Sequence, residues 1–245
     1  MKNKSYIGIT FIILIFGIFA VPKIIDRVTN DKVLDGNRLN TVKRGVTTSE
    51  GSSELTKFGK VPDFKFINQD SIPVDNSFFE DKVYVVEFFF TTCPTICPIM
   101  TQNMLQIESA FGDLDNFAIA SFTINPEHDT PSVLKNYMVD HGIKSKNWQM
   151  LTGDESAIMA LSNKGFDMYA AAKELAPGGF EHSGMFALVD KNGVIRSRQD
   201  EFGNPILYYR GITETSKDEA GDVIDTSLHQ ITELKQDILK LLKED

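Results

Sequence analysis

Val83-Tyr-Val-Val-Glu-Phe-Phe-Phe90-Thr-Thr-Cys93-Pro-Thr-Ile-Cys97-Pro-Ile-Met100 is the stretch on which the reading of this chain turns. Its first part, Val83–Phe90, is a nearly continuous apolar run, the pattern of a central strand buried on both faces. Its second part carries the only two cysteines of the chain, four positions apart. It then enters Pro98–Phe111, which has helical periodicity, with Pro98 suited to the first turn. Ile99, Leu105, Ile107 and Phe111 are the buried candidates of that helix. A strand that hands a cysteine pair to a helix N-terminus sets two sulfurs where backbone N–H groups and the helix dipole favour thiolate. Such thiolates exchange electrons or hold a soft metal ion. The three intervening residues make a wider loop than C-x-x-C, able to aim both sulfurs at one point about 2.3 Å away. The spacing also leaves a disulfide open.

Outward from this stretch the pattern stays regular. Upstream, Asp63–Ile67 and Ile72–Val74 flank Asn68-Gln-Asp70 as a short hairpin. Downstream, Phe117–Ile124 reads as a strand. Pro131–His141 follows as a helix with Val133, Leu134, Tyr137 and Met138 on one side, ended by Gly142. Trp148–Leu151 is a strand and Asp154–Lys164 a helix ending at Gly165. Met185–Asp190 and Val194–Arg198 are strands across the Lys191-Asn-Gly193 turn, and Asn204–Ile212 is an edge-strand candidate. The last helix, Thr226–Leu242, spaces Leu228, Ile231, Leu234, Ile238 and Leu241 by three and four. Strand, helix, strand, helix, then a hairpin and a closing helix is a thioredoxin-like α/β order: a central mixed sheet flanked by helices.

Two further segments carry polar side chains that this order brings toward the cysteines. Gly178-Gly-Phe-Glu-His182-Ser-Gly-Met185 immediately precedes a strand, in the loop that lies beside the cysteine turn in such a fold. Dithiol oxidoreductases of this fold place a cis-proline there, whereas this chain has His182-Ser183-Gly184. His182 joined to two thiolates is a metal-ligand candidate, and two soft sulfurs with an imidazole suit copper in both oxidation states. A structural zinc site would want a fourth protein ligand. Ser121-Phe-Thr-Ile-Asn125-Pro-Glu-His128-Asp-Thr-Pro131 closes one strand and opens a helix, with Asp129 or Thr130 as the cap and Pro131 in the first turn. Asn125 and Pro126 fall at the strand's C-terminal end, where open sheets of this kind bind ligands. His141 and His229 read as local or surface residues.

Composition bounds the alternatives. The chain has 245 residues, 42% of them hydrophobic, enough for one full core. A net charge of −9, without a basic run interleaved with aromatics, argues against nucleic acid. At the N-terminus Lys2 and Lys4 precede Tyr6–Val21, sixteen residues without a charge. As a helix this run spans about 24 Å, extended by Lys23 snorkelling, and is expected to be an uncleaved single-pass anchor in residues 1–25. A cleaved signal peptide is the rival, but Ile18-Phe19-Ala20 is a poor cleavage site. Residues 26–60 are polar and aperiodic and read as a flexible tether reaching roughly 33 Å. The globular domain is then 61–245.

In this order Cys93-Pro-Thr-Ile-Cys97-Pro, Asn125-Pro-Glu-His-Asp-Thr-Pro131 and His182-Ser-Gly-Met resemble the Sco/SenC family of copper chaperones, over roughly Phe58 to Leu242. The resemblance implies copper held by Cys93, Cys97 and His182. It also implies tethering to the outer face of the bacterial inner membrane, with the domain on the extracytoplasmic side. The expected partner is subunit II of cytochrome c oxidase, whose copper A centre family members help to assemble, or another copper acceptor. One departure stands out: the family usually reads Asp-Pro-Glu-Arg-Asp-Thr-Pro where this chain has Asn125 and His128, and Asn125 removes a negative charge. The competing expectation is an enzyme, a thiol–disulfide oxidoreductase using Cys93 and Cys97 as its redox pair to keep partner cysteines reduced. A peroxiredoxin-like peroxidase is disfavoured, because Thr91, Thr92 and Cys93 do not match a Thr-x-x-Cys pattern.

Overall fold

The structure is a computed structural model that describes residues 54–200, 202–212, 215–217 and 223–244. The expected anchor, Tyr6–Val21, and most of the expected tether lie outside these residues, as does the side chain of Leu228. No helix among the described residues is long and apolar enough to cross a membrane.

The strands are β1 (Thr56–Lys60), β2 (Lys65–Asn68), β3 (Pro73–Asp75) and β4 (Val83–Phe89), followed by helix α1 (Cys97–Phe111) and β5 (Phe117–Thr123). Helix α2 (Pro131–His141), β6 (Trp148–Thr152) and α3 (Glu155–Ala160) come next. Then follow β7 (Ala170–Ala172), β8 (Phe180–His182), β9 (Met185–Val189), β10 (Val194–Ser197), β11 (Tyr209–Arg210), β12 (Thr215–Lys217), β13 (Val223–Asp225) and α4 (Thr226–Lys243). The main sheet runs β1-β10-β9-β4-β5-β6-β2-β3, with β11 added on β9. Strands β4, β5 and β6 are parallel neighbours and the other pairings are antiparallel, so the sheet is mixed as expected.

Every residue of β4 and of β5 is buried. Because parallel crossovers are right-handed, β4-α1-β5 and β5-α2-β6 put both helices on the same face of the sheet. The side chains agree. Phe89 meets Tyr137 of α2 at 5.7 Å between ring centroids, and the Tyr137 hydroxyl is 2.7 Å from Thr101 Oγ1 of α1. Alternate residues of β4 face the other way, where Phe88 stacks on Phe122 and meets Phe166. Helix α4 closes the first face against α1 and β4, with Ile231, Leu234, Ile238 and Leu241 buried.

Several expectations need correction. In α1 the buried residues are Cys97, Met100, Thr101, Asn103, Met104, Ile107 and Phe111, while Ile99 and Leu105 are only half-buried. The helix starts at Cys97, and this phase carries the two methionines to the sheet. The expected helix 154–164 ends as α-helix at Ala160 and continues as a wider turn over Leu161–Gly165. Of Asn204–Ile212 only Tyr209–Arg210 pairs with β9. The domain also begins before Val61, since Thr56–Lys60 is a strand paired with β10 and Leu55 is buried. An edge strand exposes most of its side chains, so Thr56-Lys-Phe-Gly-Lys60 shows no apolar period.

That edge is fastened by one buried cation. Arg196 of β10 is 1% exposed and pairs with Asp190 and Glu244, each at 2.9 Å. Its guanidinium also donates to the Leu55 carbonyl, so β1, β10 and the end of α4 converge on it. Arg196→Ala would strand the buried Asp190 carboxylate and is expected to lower unfolding free energy by about 3–5 kcal/mol. Urea denaturation checks this, and a loss under about 1 kcal/mol would show that the cluster contributes no more than a surface pair.

Candidate metal and thiol site

The site forms where β4 stops. Phe90 leaves the sheet, and Thr91 and Thr92 turn the chain so that Cys93 precedes α1 and Cys97 is its first residue. No side chain caps this helix from Ile96. Instead the Cys97 backbone N–H points at the Cys93 sulfur, 3.5 Å away, so a sulfur accepts from one of the donors that a helix start leaves open. The Thr95 hydroxyl lies 3.6 Å from the same sulfur.

Asp129 holds the turn in place. It is fully buried and accepts from the Thr91 backbone N–H at 3.0 Å, from the hydroxyls of Thr91 and Thr123, and pairs with His128 Nδ1 at 2.8 Å. The sequence reading made Asp129 or Thr130 a helix cap. Thr130 does occupy the cap position, though without a side-chain cap bond, while Asp129 turns inward and joins the ends of β4 and β5. Asn125 is half-exposed and shapes the loop through its backbone, its carbonyl accepting from the N–H of Asp129 at 2.9 Å.

His182 arrives on β8, in a small hairpin with β7 in which it pairs with Ala170. The chain reverses at once through Gly184, whose φ of +65° favours glycine. A Cβ there would also meet Ile212 at 3.0 Å. The imidazole is 8% exposed, sits edge-on to Phe90 at 5.9 Å, and brings Nε2 to 3.2 Å from the Cys97 sulfur. The ligand atoms of Cys93, Cys97 and His182 all lie within 4.8 Å of one another. The structure thus brings together the three residues singled out in the sequence. His128 stays apart, half-exposed and bonded to Asp129. His141 donates to the Tyr137 carbonyl at 3.0 Å and stacks on that ring, a local role as read, and the His229 side chain lies outside the described residues.

The two sulfurs are electrostatically unequal. A hydrogen bond from the Cys97 thiol holds the Cys93 thiol far below the ordinary range, with help from His182 and from the N–H groups of Cys97 and Thr95. The same bond, together with burial, pushes Cys97 up. The pair therefore shares one proton, with the thiolate on Cys93. Two sulfurs and an imidazole nitrogen form a soft donor set that fits copper, and one thiolate is available at neutral pH without metal.

Sequence reasoning missed Glu87 in the middle of β4. It is 2% exposed, and the Ser121 hydroxyl donates to its Oε1 at 2.7 Å while taking the Trp148 indole N–H at 2.9 Å. Its Oε2 has no hydrogen-bond partner, and burial pushes its carboxyl up to about 7. The signal was present as a single ionisable residue inside an apolar run.

The shared proton sets an expected titration. The thiolate absorbance of the reduced protein should persist well below the ordinary cysteine value of 9.0, because the Cys93 shift is downward. His182→Ala removes one of its donors, so the first thiol titration should move to higher pH. Ultraviolet titration of the reduced protein checks both, and an unmoved first titration would mean that the imidazole does not bond the thiolate.

Comparison with known proteins gives a consistent picture. The SCO1/SenC family model matches residues 53–216. The SCO1 protein homolog of Bacillus subtilis is 29% identical over 162 residues, 65% of this chain and 78% of that one. A putative copper-binding protein of Stutzerimonas stutzeri is 27% identical over 142 residues, 56% of this chain and 67% of that one. Among solved structures, a SCO1/SenC family lipoprotein from Bacillus anthracis superposes with a TM-score of 0.60 at 26% identity, over 75% of this chain and 95% of that one. With the family model covering most of the chain, and the two cysteines and the histidine meeting in one site on a thioredoxin-like sheet, the chain belongs to the SCO1/SenC family.

Proposed function

We propose that this protein is a copper-binding chaperone that takes up copper as cargo through Cys93 Sγ, Cys97 Sγ and the His182 imidazole, and passes it to an acceptor protein. The observation that carries the reading is the convergence of these three soft donors from two separate elements, all within 4.8 Å of one another. Two thiolates and an imidazole bind Cu(I) and also tolerate Cu(II), as a carrier needs. Because all three groups are at most 8% exposed, the cargo is shielded from bulk thiols until a partner is seated. Resemblance to the family supports subunit II of cytochrome c oxidase as the acceptor. Anaerobic titration of the reduced protein with Cu(I) should give one copper per chain, and Cys93→Ser or Cys97→Ser should each abolish tight binding. Failure of the fully reduced wild type to bind copper would defeat the reading.

A second reading, thiol–disulfide oxidoreductase, is favoured by the inequality of the two sulfurs. Cys93 is a ready nucleophile and Cys97 a protonated resolving thiol, the division of labour that dithiol exchange uses. His182 separates the two: the variant His182→Ala loses tight copper binding under the first reading and keeps reducing a small disulfide under the second.

The same proposal places the domain outside the cytoplasm, on a single-pass anchor in residues 1–25 of a bacterial inner membrane and a tether that now ends before β1. Tethering confines the domain near a membrane-bound acceptor and raises its effective concentration there. A reporter enzyme active only outside the cytoplasm, fused after Asp245, should be active. Activity instead from a cytoplasm-only reporter would overturn both the topology and the proposed acceptor.

A further inference from the structure

His182 is carried by an element that the main sheet does not hold. Among the described residues β8 pairs with β7 alone, in a two-stranded sheet of its own. The rings of His182 and Phe180 both rest on Phe90, but aromatic packing tolerates several ring arrangements. An imidazole held 3.2 Å from the Cys97 sulfur requires a directional link between its turn and helix α1. Asn103 supplies one. It is a buried amide on α1, and its Nδ2 donates to the Gly211 carbonyl at 3.0 Å. Gln106 donates to its Oδ1 at 3.0 Å, and a carbonyl only accepts, so the amide is fixed with Nδ2 toward Gly211. The Gly211 N–H in turn donates to the carbonyl of Gly184, two residues past His182, at 2.9 Å. This pair continues the ladder of β11 on β9 beyond Tyr209–Phe186 and Arg210–Met185. The fit is close: a Cβ on Gly211 would meet the Phe186 ring at 2.7 Å, and one on Gly184 would come within 3.4 Å of Ile96, the residue before Cys97. Other polar side chains of α1 bond elsewhere, Thr101 to Tyr137 and Glu108 to the N–H groups of Lys144 and Ser145.

We propose that Asn103 is a positioning residue of the metal site, holding the His182 imidazole beside the Cys97 sulfur through the Gly211–Gly184 pair. The inference rests on the metal-binding reading above, and it gives Asn103 no contact with the cargo. Cys97 opens α1 and Asn103 lies within its next two turns, so the sulfur and the tie belong to one rigid helix. At the other end, Gly211 clamps the backbone of the turn that carries His182. Removing the Asn103 amide leaves the buried Gly211 carbonyl without its donor, at a cost that a displaced turn relieves by letting water reach it. The imidazole then moves off while both thiols stay. A donor held in place beforehand spares the ion the cost of ordering it, so loss of the tie shows as lower affinity with unchanged stoichiometry.

The test uses the full chain as wild type, Asn103→Ala and Asn103→Leu, the last keeping the buried volume should the alanine variant fail to fold. Thr101→Val is the control, because it removes a buried bond of the same helix that leads to Tyr137 instead. Proton NMR of the reduced, copper-free protein comes first. Wild type should show cross-relaxation between the ring protons of His182 and Phe90, whose centroids lie 5.9 Å apart. That signal should fade in the Asn103 variants and persist in Thr101→Val. Its persistence at full strength in the Asn103 variants overturns the tie. Competition for Cu(I) against bicinchoninate comes second. The Asn103 variants should bind about tenfold more weakly, still at one copper per chain, while Thr101→Val matches wild type. On the weaker site that His182→Ala leaves, adding Asn103→Leu should cost nothing further, since the tie acts only through the imidazole. Unchanged affinity, or an equal loss with and without His182, would overturn the positioning role. If wild type binds no copper at all, the metal reading falls, and the ring contact by itself upholds or overturns the link from Asn103 to His182.

Discussion

The parallel pairing of β4 with β5 is the constraint from which the site follows. Seven residue pairs run in unbroken register from Val83–Phe117 to Phe89–Thr123, and both strands are buried along their whole length. A strand buried on both faces cannot slip by one residue without driving every side chain to the wrong face. The point at which β4 ends is therefore fixed to within a residue, and with it the place where the cysteine turn begins. The partner strand supplies the fastening, because Thr123 at its end shares Asp129 with Thr91. A buried carboxylate with several donors is costly to disturb. Thus the stiffness of the sheet is carried to within two residues of Cys93.

Burial then does chemical work at that end of the sheet. Cys93, Cys97 and His182 are all nearly excluded from water, yet they carry one thiolate between them. That charge is stabilised by hydrogen bonds from the Cys97 thiol, from His182 and from backbone N–H groups. Glu87, deeper in the same strand, adds a second ionisable group whose neutral form is favoured by burial.

Much of this was legible in the amino-acid sequence, and the failures have physical causes. The strands β4, β5, β6 and β9 and helices α1, α2 and α4 announce themselves because each buries a face, and burial writes a period into the chain. The meeting of Cys93, Cys97 and His182 was legible because they are chemically distinctive residues at element ends. The strand β1 and the hairpin of β7 with β8 were not legible: they are short, partly exposed and held by backbone pairing, which leaves no trace in side-chain type. The phase of α1 was misjudged because Met100 and Met104 fill the core as well as branched residues do. Asp129 was assigned to a cap because Asp before Thr-Pro at a helix start ordinarily caps. Only the tertiary position of Thr91, thirty-eight residues earlier, turns it inward.

The same geometry bears on Asn125, where the family usually has aspartate. The turn between β5 and α2 is closed by the Asn125 backbone, through its N–H to Thr123 Oγ1 and its carbonyl to the N–H groups of His128 and Asp129. Its side chain is therefore not needed to shape the loop, and the loop's buried negative charge is supplied by Asp129. Losing the carboxylate at 125 leaves the clamp on the cysteine turn whole and alters only what a half-exposed residue presents outward. On the copper-chaperone reading proposed above, capture would draw on the buried clamp and the three donors, whereas recognition of an acceptor would draw on the outer surface. On that reading the substitution would fall on the side of partner choice, separated from metal binding by the same buried bonds that hold the cysteines in place.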